Sequence, residues 1–92
     1  GASDGESPVW RDDQEALFQC LRRLRRRLAG EDGVPPYMVF SDKTLKTIVR
    51  NRPESTAALL RVHGIGERKA ERYGEAVVAA VREFLVSGEC EI

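Results

Sequence analysis

Leu17, Leu21, Leu24 and Leu28 recur at intervals of four, three and four. That spacing places all four on one stripe of an α-helix, and Phe18 and Cys20 widen the stripe. A second stripe of the same period, Ala70, Tyr73, Val77, Ala80, Val81 and Phe84, lies near the other end of the chain. Two long amphipathic helices in 92 residues leave room for one modest core. The sequence predicts the first helix over Asp13–Leu28, with Asp12 or Asp13 as N-cap and Gly30 and Gly33 ending it. It predicts the last over Gly66–Leu85, with Gly88 ending it.

Between them, Pro35-Pro36 opens the segment "GVPPYMVFSD". Tyr37, Met38, Val39 and Phe40 have no partner strand elsewhere in the chain, so the segment reads as a short helical turn. Ser41 then caps a helix with Leu45, Ile48 and Val49 inward and Lys43, Lys46 and Arg50 outward; Pro53 forbids its continuation. Ser55 caps another short helix, with Leu59, Leu60 and Val62 inward. The expected fold is all-α, a compact bundle of five helices joined by short loops.

The formal net charge is zero, yet the charge is unevenly placed. Residues 13–86 carry 14 Lys/Arg against 10 Asp/Glu, a balance of +4, and the two flanks are acidic. A mildly basic body permits an anion-binding face without making the chain a dedicated basic DNA binder. Residues 1–11 read as a tail or linker that starts with a tag remnant, Gly1-Ala2-Ser3, and contains one large aromatic, Trp10. Residues 12–86 read as the folded domain, and 87–92, ending "SGECEI", as an acidic tail at a true C-terminus. No apolar run is long enough to span a membrane and no signal segment is evident, so a cytoplasmic setting is expected. Cys20 and Cys90 with a single histidine suggest neither a zinc site nor a disulfide framework, and Cys20 reads as a small core residue.

The stretch "LLRVHGIGERKAERYGEAV" is the most informative in the chain. Gly64 is expected to close one helix in a left-handed conformation, Ile65 to drop into the core, and Gly66 to start the next helix. The first amides of that helix lack internal partners, and Arg68 and Lys69 stand in its first turn. Free amides beside cations form a phosphate cradle that holds a backbone without reading bases. The same residues also fit a tight inter-helix turn with solvated charges.

Together, the arginine-rich helix, "GVPPYMVFSDKTL", a proline stop and "LLRVHGIGERKAERYG" resemble the HRDC domain, the helicase-and-ribonuclease-D C-terminal module, most of all that of bacterial RecQ-type helicases. The resemblance covers about residues 13–86. It implies a five-helix fold containing a helix-hairpin-helix-like turn, no catalysis or cofactor of its own, and an accessory role that helps place a parent enzyme on single-stranded or structured DNA. It implies a DNA surface around the Pro-Pro-Tyr turn. Tyr37 matches the aromatic there, with Lys43, Lys46, Arg68 and Lys69 as accompanying cations and His63, Gly64 and Gly66 as hairpin contacts. The expected partners are DNA, bound weakly, and other domains of a parent helicase, with the isolated domain a monomer. Glu67, Glu71 and Glu75 stripe the last helix and support a second reading, a regulatory module that contacts protein through an acidic face.

Several residues support two readings each. Tyr37 can stack on a base or cover the core edge with its hydroxyl at the surface. The run Arg22, Arg23, Arg25, Arg26 and Arg27 can meet phosphate or form a solvated face, with Asp32, Glu83 or a partner as counter-charge. His63 has no nucleophile beside it and is no catalytic base. Lys69 invites comparison with DNA glycosylases that place a reactive lysine at such a hairpin, but 92 residues leave no room for a base pocket.

Overall fold

A computed structural model describes residues 12–90 and 92. The tail expected over residues 1–11, with Trp10, lies outside the described residues. Five helices follow in order: α1 (Asp12–Asp32), α2 (Pro36–Val39), α3 (Asp42–Asn51), α4 (Thr56–Leu59) and α5 (Glu67–Ser87). No strand occurs among the described residues. The expected all-α bundle is therefore observed.

The leucine stripe of α1 forms the floor of the core. α2, α3 and α5 all pack on α1, and α4 packs on α5. Leu17, Leu21, Leu24, Ile48, Leu59, Ile65, Val77 and Phe84 all lie in one buried cluster. Phe40 enters it from the end of α2, and its ring meets the edge of Tyr73 with centroids 5.7 Å apart. Ser41 and Ser55 cap α3 and α4 as expected: their Oγ atoms accept from the amides of Thr44 and Ala58, each at 3.1 Å.

α1 begins at Asp12, so the two aspartates expected as caps lie in its first turn, facing the positive helix end. The helix also runs past its expected stop. Gly30 is helical, and termination falls to Gly33 at φ 69°. There the amide of Gly33 donates to Gly30 O at 3.4 Å and that of Val34 to Ala29 O at 3.0 Å, the paired closure that satisfies the last carbonyls. A single helical glycine costs only about 1 kcal/mol, too little to stop α1 at Gly30. α3 ends at Arg52, which takes a left-handed φ of 48° before Pro53, and its guanidinium pairs with Asp13 at 2.8 Å.

Leu60 was expected inward and is exposed. α4 is one turn long, and from Leu60 onward the chain follows separate turns closed by Arg61 N to Ala58 O and Val62 N to Leu59 O. Leu59 and Val62 therefore share the inner side and Leu60 points away. For the same reason Gly64 does not close α4. It lies beyond these turns, at φ 98°.

The cysteine expectation is also overturned. Cys20 and Cys90 form a disulfide across a sequence separation of 70 residues. Cys20 is buried on α1, as expected of a core residue, but it is not a free one. Gly88 ends α5 at φ 76° and sends the polar tail back over α1, a reversal that composition does not disclose.

Candidate nucleic-acid interface

The segment from Val62 to Lys69 brings the hairpin residues together. Ile65 is buried, and its amide donates to Val62 O at 3.2 Å. Gly64 sits directly on α3, where a Cβ would stand 2.5 Å from Thr44 Oγ1. Gly66 is the N-cap of α5 in an extended conformation and supplies no side-chain cap. The first internal bond of α5 runs from the amide of Ala70 to Gly66 O, at 2.9 Å. The amides of Glu67, Arg68 and Lys69 precede it at the positive end of a 21-residue helix.

Arg68 and Lys69 line an open cleft together with Asp32, Val34, Met38, Arg72 and Tyr73. One wall comes from Val34 and Met38, which flank the Pro-Pro-Tyr turn, and the other from the first turns of α5. Met38 is half exposed at the cleft, and the adjacent Tyr37 is 70% exposed. Tyr37 therefore does not cover the core edge; its ring is in solvent. Lys43, Lys46 and His63 are exposed but do not line this cleft. Glu67, Glu71 and Glu75 are all exposed along α5 at four-residue spacing.

Three residues at the cleft carry its electrostatics. The Tyr73 hydroxyl and Arg72 Nε both donate to Asp32 Oδ2, the latter at 2.9 Å. The Tyr73 hydrogen bond first, and Arg72 second, hold the Asp32 carboxyl below the usual carboxylate range. The same contact raises the Tyr73 hydroxyl and the Arg72 guanidinium. This network clips the end of α1 to α5. A carboxyl depressed on folding contributes stability that is fully present well above its unfolded pKa of 3.8 and is lost as pH falls through the lower folded value. Denaturant unfolding of Asp32→Asn against the parent should thus show a gap at pH 7 that narrows as pH drops below that unfolded value; a gap independent of pH would remove the carboxylate from the account.

The arginine run divides in a way that its spacing did not reveal. Arg25 is mostly buried: its Nη1 donates to Phe40 O at 2.9 Å and pairs with Asp42 at 2.8 Å. It is a strut that holds the α2–α3 junction on α1. Arg22 lies 5.9 Å from the Phe18 ring centroid, and Arg23, Arg26 and Arg27 are exposed. Asp32, one expected counter-charge of the run, is engaged by Arg72 instead.

Val34, Met38 and Arg72 were not singled out as site residues from the sequence. Met38 beside Tyr37 was the available signal, since a one-turn helix cannot bury four consecutive apolar residues. Among the described residues no His/Cys/Asp/Glu group could hold a metal ion, and no helix is long and apolar enough to cross a membrane.

Comparison with known proteins gives a consistent result. The family model described as HRDC domain matches residues 14–81. The ATP-dependent DNA helicase RecQ of Bacillus subtilis is 38% identical over 72 residues, which are 78% of this chain and 12% of that protein. The ATP-dependent DNA helicase UvrD2 of Mycobacterium tuberculosis is 46% identical over 70 residues, 76% of this chain and 10% of that protein. Among solved structures, D. radiodurans RecQ HRDC domain 3 superposes with a TM-score of 0.76 at 36% identity, covering 78% of this chain and 95% of that one. The chain thus spans about a tenth of the length of these helicases.

Proposed function

The chain belongs to the HRDC domain family, and we propose that it is a noncatalytic accessory module of a RecQ-like or UvrD2-like DNA helicase that weakly holds single-stranded or junction DNA beside the motor. The observation that carries this reading is the cleft between the Pro-Pro-Tyr turn and the N-terminus of α5, where Arg68, Lys69 and Arg72 face Val34 and Met38. A DNA phosphate fits the free amides and the two first-turn cations, and an adjacent base fits the exposed Tyr37 and Met38 surface. Such a site reads no base edges and therefore gives affinity without sequence preference. Its use is tethering: a weak second contact raises the effective concentration of DNA at the motor.

Titration of a fluorescent oligonucleotide at several salt concentrations tests the proposal. The isolated chain should bind single strands with a dissociation constant of about micromolar or weaker. Changing Arg68 and Lys69 together to Ala should flatten the plot of log K against log salt by about 1.4, since each phosphate contact on a single strand contributes about 0.7. Changing Tyr37 to Ala should weaken binding at unchanged slope, because stacking releases no counterions. The rival is a protein-docking role for the exposed Glu67, Glu71 and Glu75 row. It requires no single-strand binding by the isolated chain, and altered DNA affinity of the parent helicase when Glu71 and Glu75 are replaced by lysine.

A further inference from the structure

Among the described residues, the tail after α5 is held by little besides its covalent link. Cys90 is joined to Cys20, which is 2% exposed in the middle of α1. Beyond it, Ile92 is half-buried and lies with Leu24, Arg27, Ala76 and Ala80 in a groove between α1 and α5. Among the described residues the polar contacts of the segment are local: Ser87 Oγ lies 2.9 Å from Glu83 O and 3.1 Å from Glu89 O, and accepts from the Glu89 amide at 3.1 Å. Without the disulfide, one half-covered isoleucine would have to offset the ordering entropy of the segment after Gly88, and it is too small to do so. Leu17, Leu21, Val77 and Val81 are fully buried on the two long helices, whereas Ile92 only packs against the outside of their cluster.

We propose that the Cys20–Cys90 bond is a redox latch that seats Ile92 over the α1–α5 groove when closed and releases it when opened. Access fixes the order of the chemistry. A small-molecule thiolate attacks the sulfur of Cys90, which is the more exposed of the pair, and Cys20 departs as a thiolate and takes a proton from water. A second small-molecule thiolate then attacks the outer, small-molecule sulfur of the mixed disulfide, and Cys90 departs as a thiolate and takes a proton, so that two thiols are oxidised to one small disulfide and both cysteines end as thiols. Buried Cys20 then behaves as an ordinary small apolar residue, so the bundle stays folded. A small disulfide such as oxidised glutathione closes the latch by the reverse exchange. The tail that moves carries Glu89, and the groove it leaves is an apolar floor edged by Arg27 and Glu83.

The test compares the whole chain after treatment with oxidised glutathione and after reduction with dithiothreitol. Thiol titration should find no free cysteine in the first state and both in the second. In the oxidised chain, nuclear Overhauser contacts should connect the Ile92 methyls with Leu24 and Ala80, and the backbone of Cys90 should be rigid. On reduction those contacts and that rigidity should vanish, while contacts within the α1–α5 core persist and the melting temperature falls by on the order of 10 °C. Cys90→Ser should resemble the reduced chain in either buffer. Two results would overturn the latch. One is Ile92 contacts that survive reduction, which would leave the disulfide a plain staple; the other is failure of the two thiols to pair under glutathione disulfide.

Discussion

Replacing Ile65 with aspartate should leave the chain without a cooperative thermal transition at neutral pH. Ile65 is 5% exposed and belongs to the single core cluster that α1, α3 and α5 share. Removing a buried isoleucine side chain costs about 2–5 kcal/mol in lost transfer energy and residual cavity. A carboxylate in its place adds the cost of a buried, unpaired charge, or of the proton needed to neutralise it, which is several kcal/mol more. A folded domain has only about 5–15 kcal/mol to lose, and one of this size stands toward the lower end. Ile65→Val, by contrast, costs about 0.5–1.5 kcal/mol and should keep a sharp transition. Circular-dichroism melts of the two variants make the comparison. A melt of the aspartate variant that matches the parent would place Ile65 outside the core.

Position 65 was legible in the sequence because of the two glycines that flank it. Gly64 and Gly66 mark a tight turn on either side of it, and an isoleucine in such a turn between two helices has the core as its apolar surroundings. The five helices were legible for the same reason: a leucine stripe, serine caps and glycine or proline stops are local, and local physics sets them. What the sequence concealed is set by distant pairs. Arg25 reads like its arginine neighbours, and only the arrival of α2 and α3 gives it Phe40 O and Asp42. Asp32 meets Arg72 across 40 residues, and Cys20 meets Cys90 across 70. Leu60 looked inward because a helical period was extended past the end of a one-turn helix. The cleft shares this character: Arg68 and Lys69 could be named from the hairpin pattern, whereas Val34 and Met38 join them only because the end of α1 docks against the start of α5.

Gly64→Val should destabilise the domain by about 2–5 kcal/mol although it adds only methyl groups. Two separate terms contribute. The left-handed backbone, at φ 98°, costs an L-residue about 1–2 kcal/mol, and a β-branched one stands at the upper end. The new Cβ would also lie 2.5 Å from Thr44 Oγ1. Thr44 is buried and its hydroxyl accepts from Ser41 Oγ at 3.1 Å, so it cannot swing aside without breaking the N-cap cluster of α3. Overpacking of this kind adds about 1–3 kcal/mol. The terms separate in a double-mutant cycle. In a Thr44→Ala background the nearest remaining side-chain atom stands 3.7 Å from the new Cβ, an ordinary contact, so Gly64→Ala there should cost only the backbone term. Gly66→Ala is the control at the other end of the hairpin: its φ is −93° and nothing lies within 4 Å of an added Cβ, so the loss should stay below about 1 kcal/mol. Urea unfolding of Gly64→Val, Gly64→Ala, Thr44→Ala, the Thr44→Ala/Gly64→Ala double variant and Gly66→Ala measures each term. Equal losses at Gly64 and Gly66 would show that neither the left-handed turn nor the contact with Thr44 holds the hairpin in place, and the cleft built on that hairpin would lose its physical basis with them.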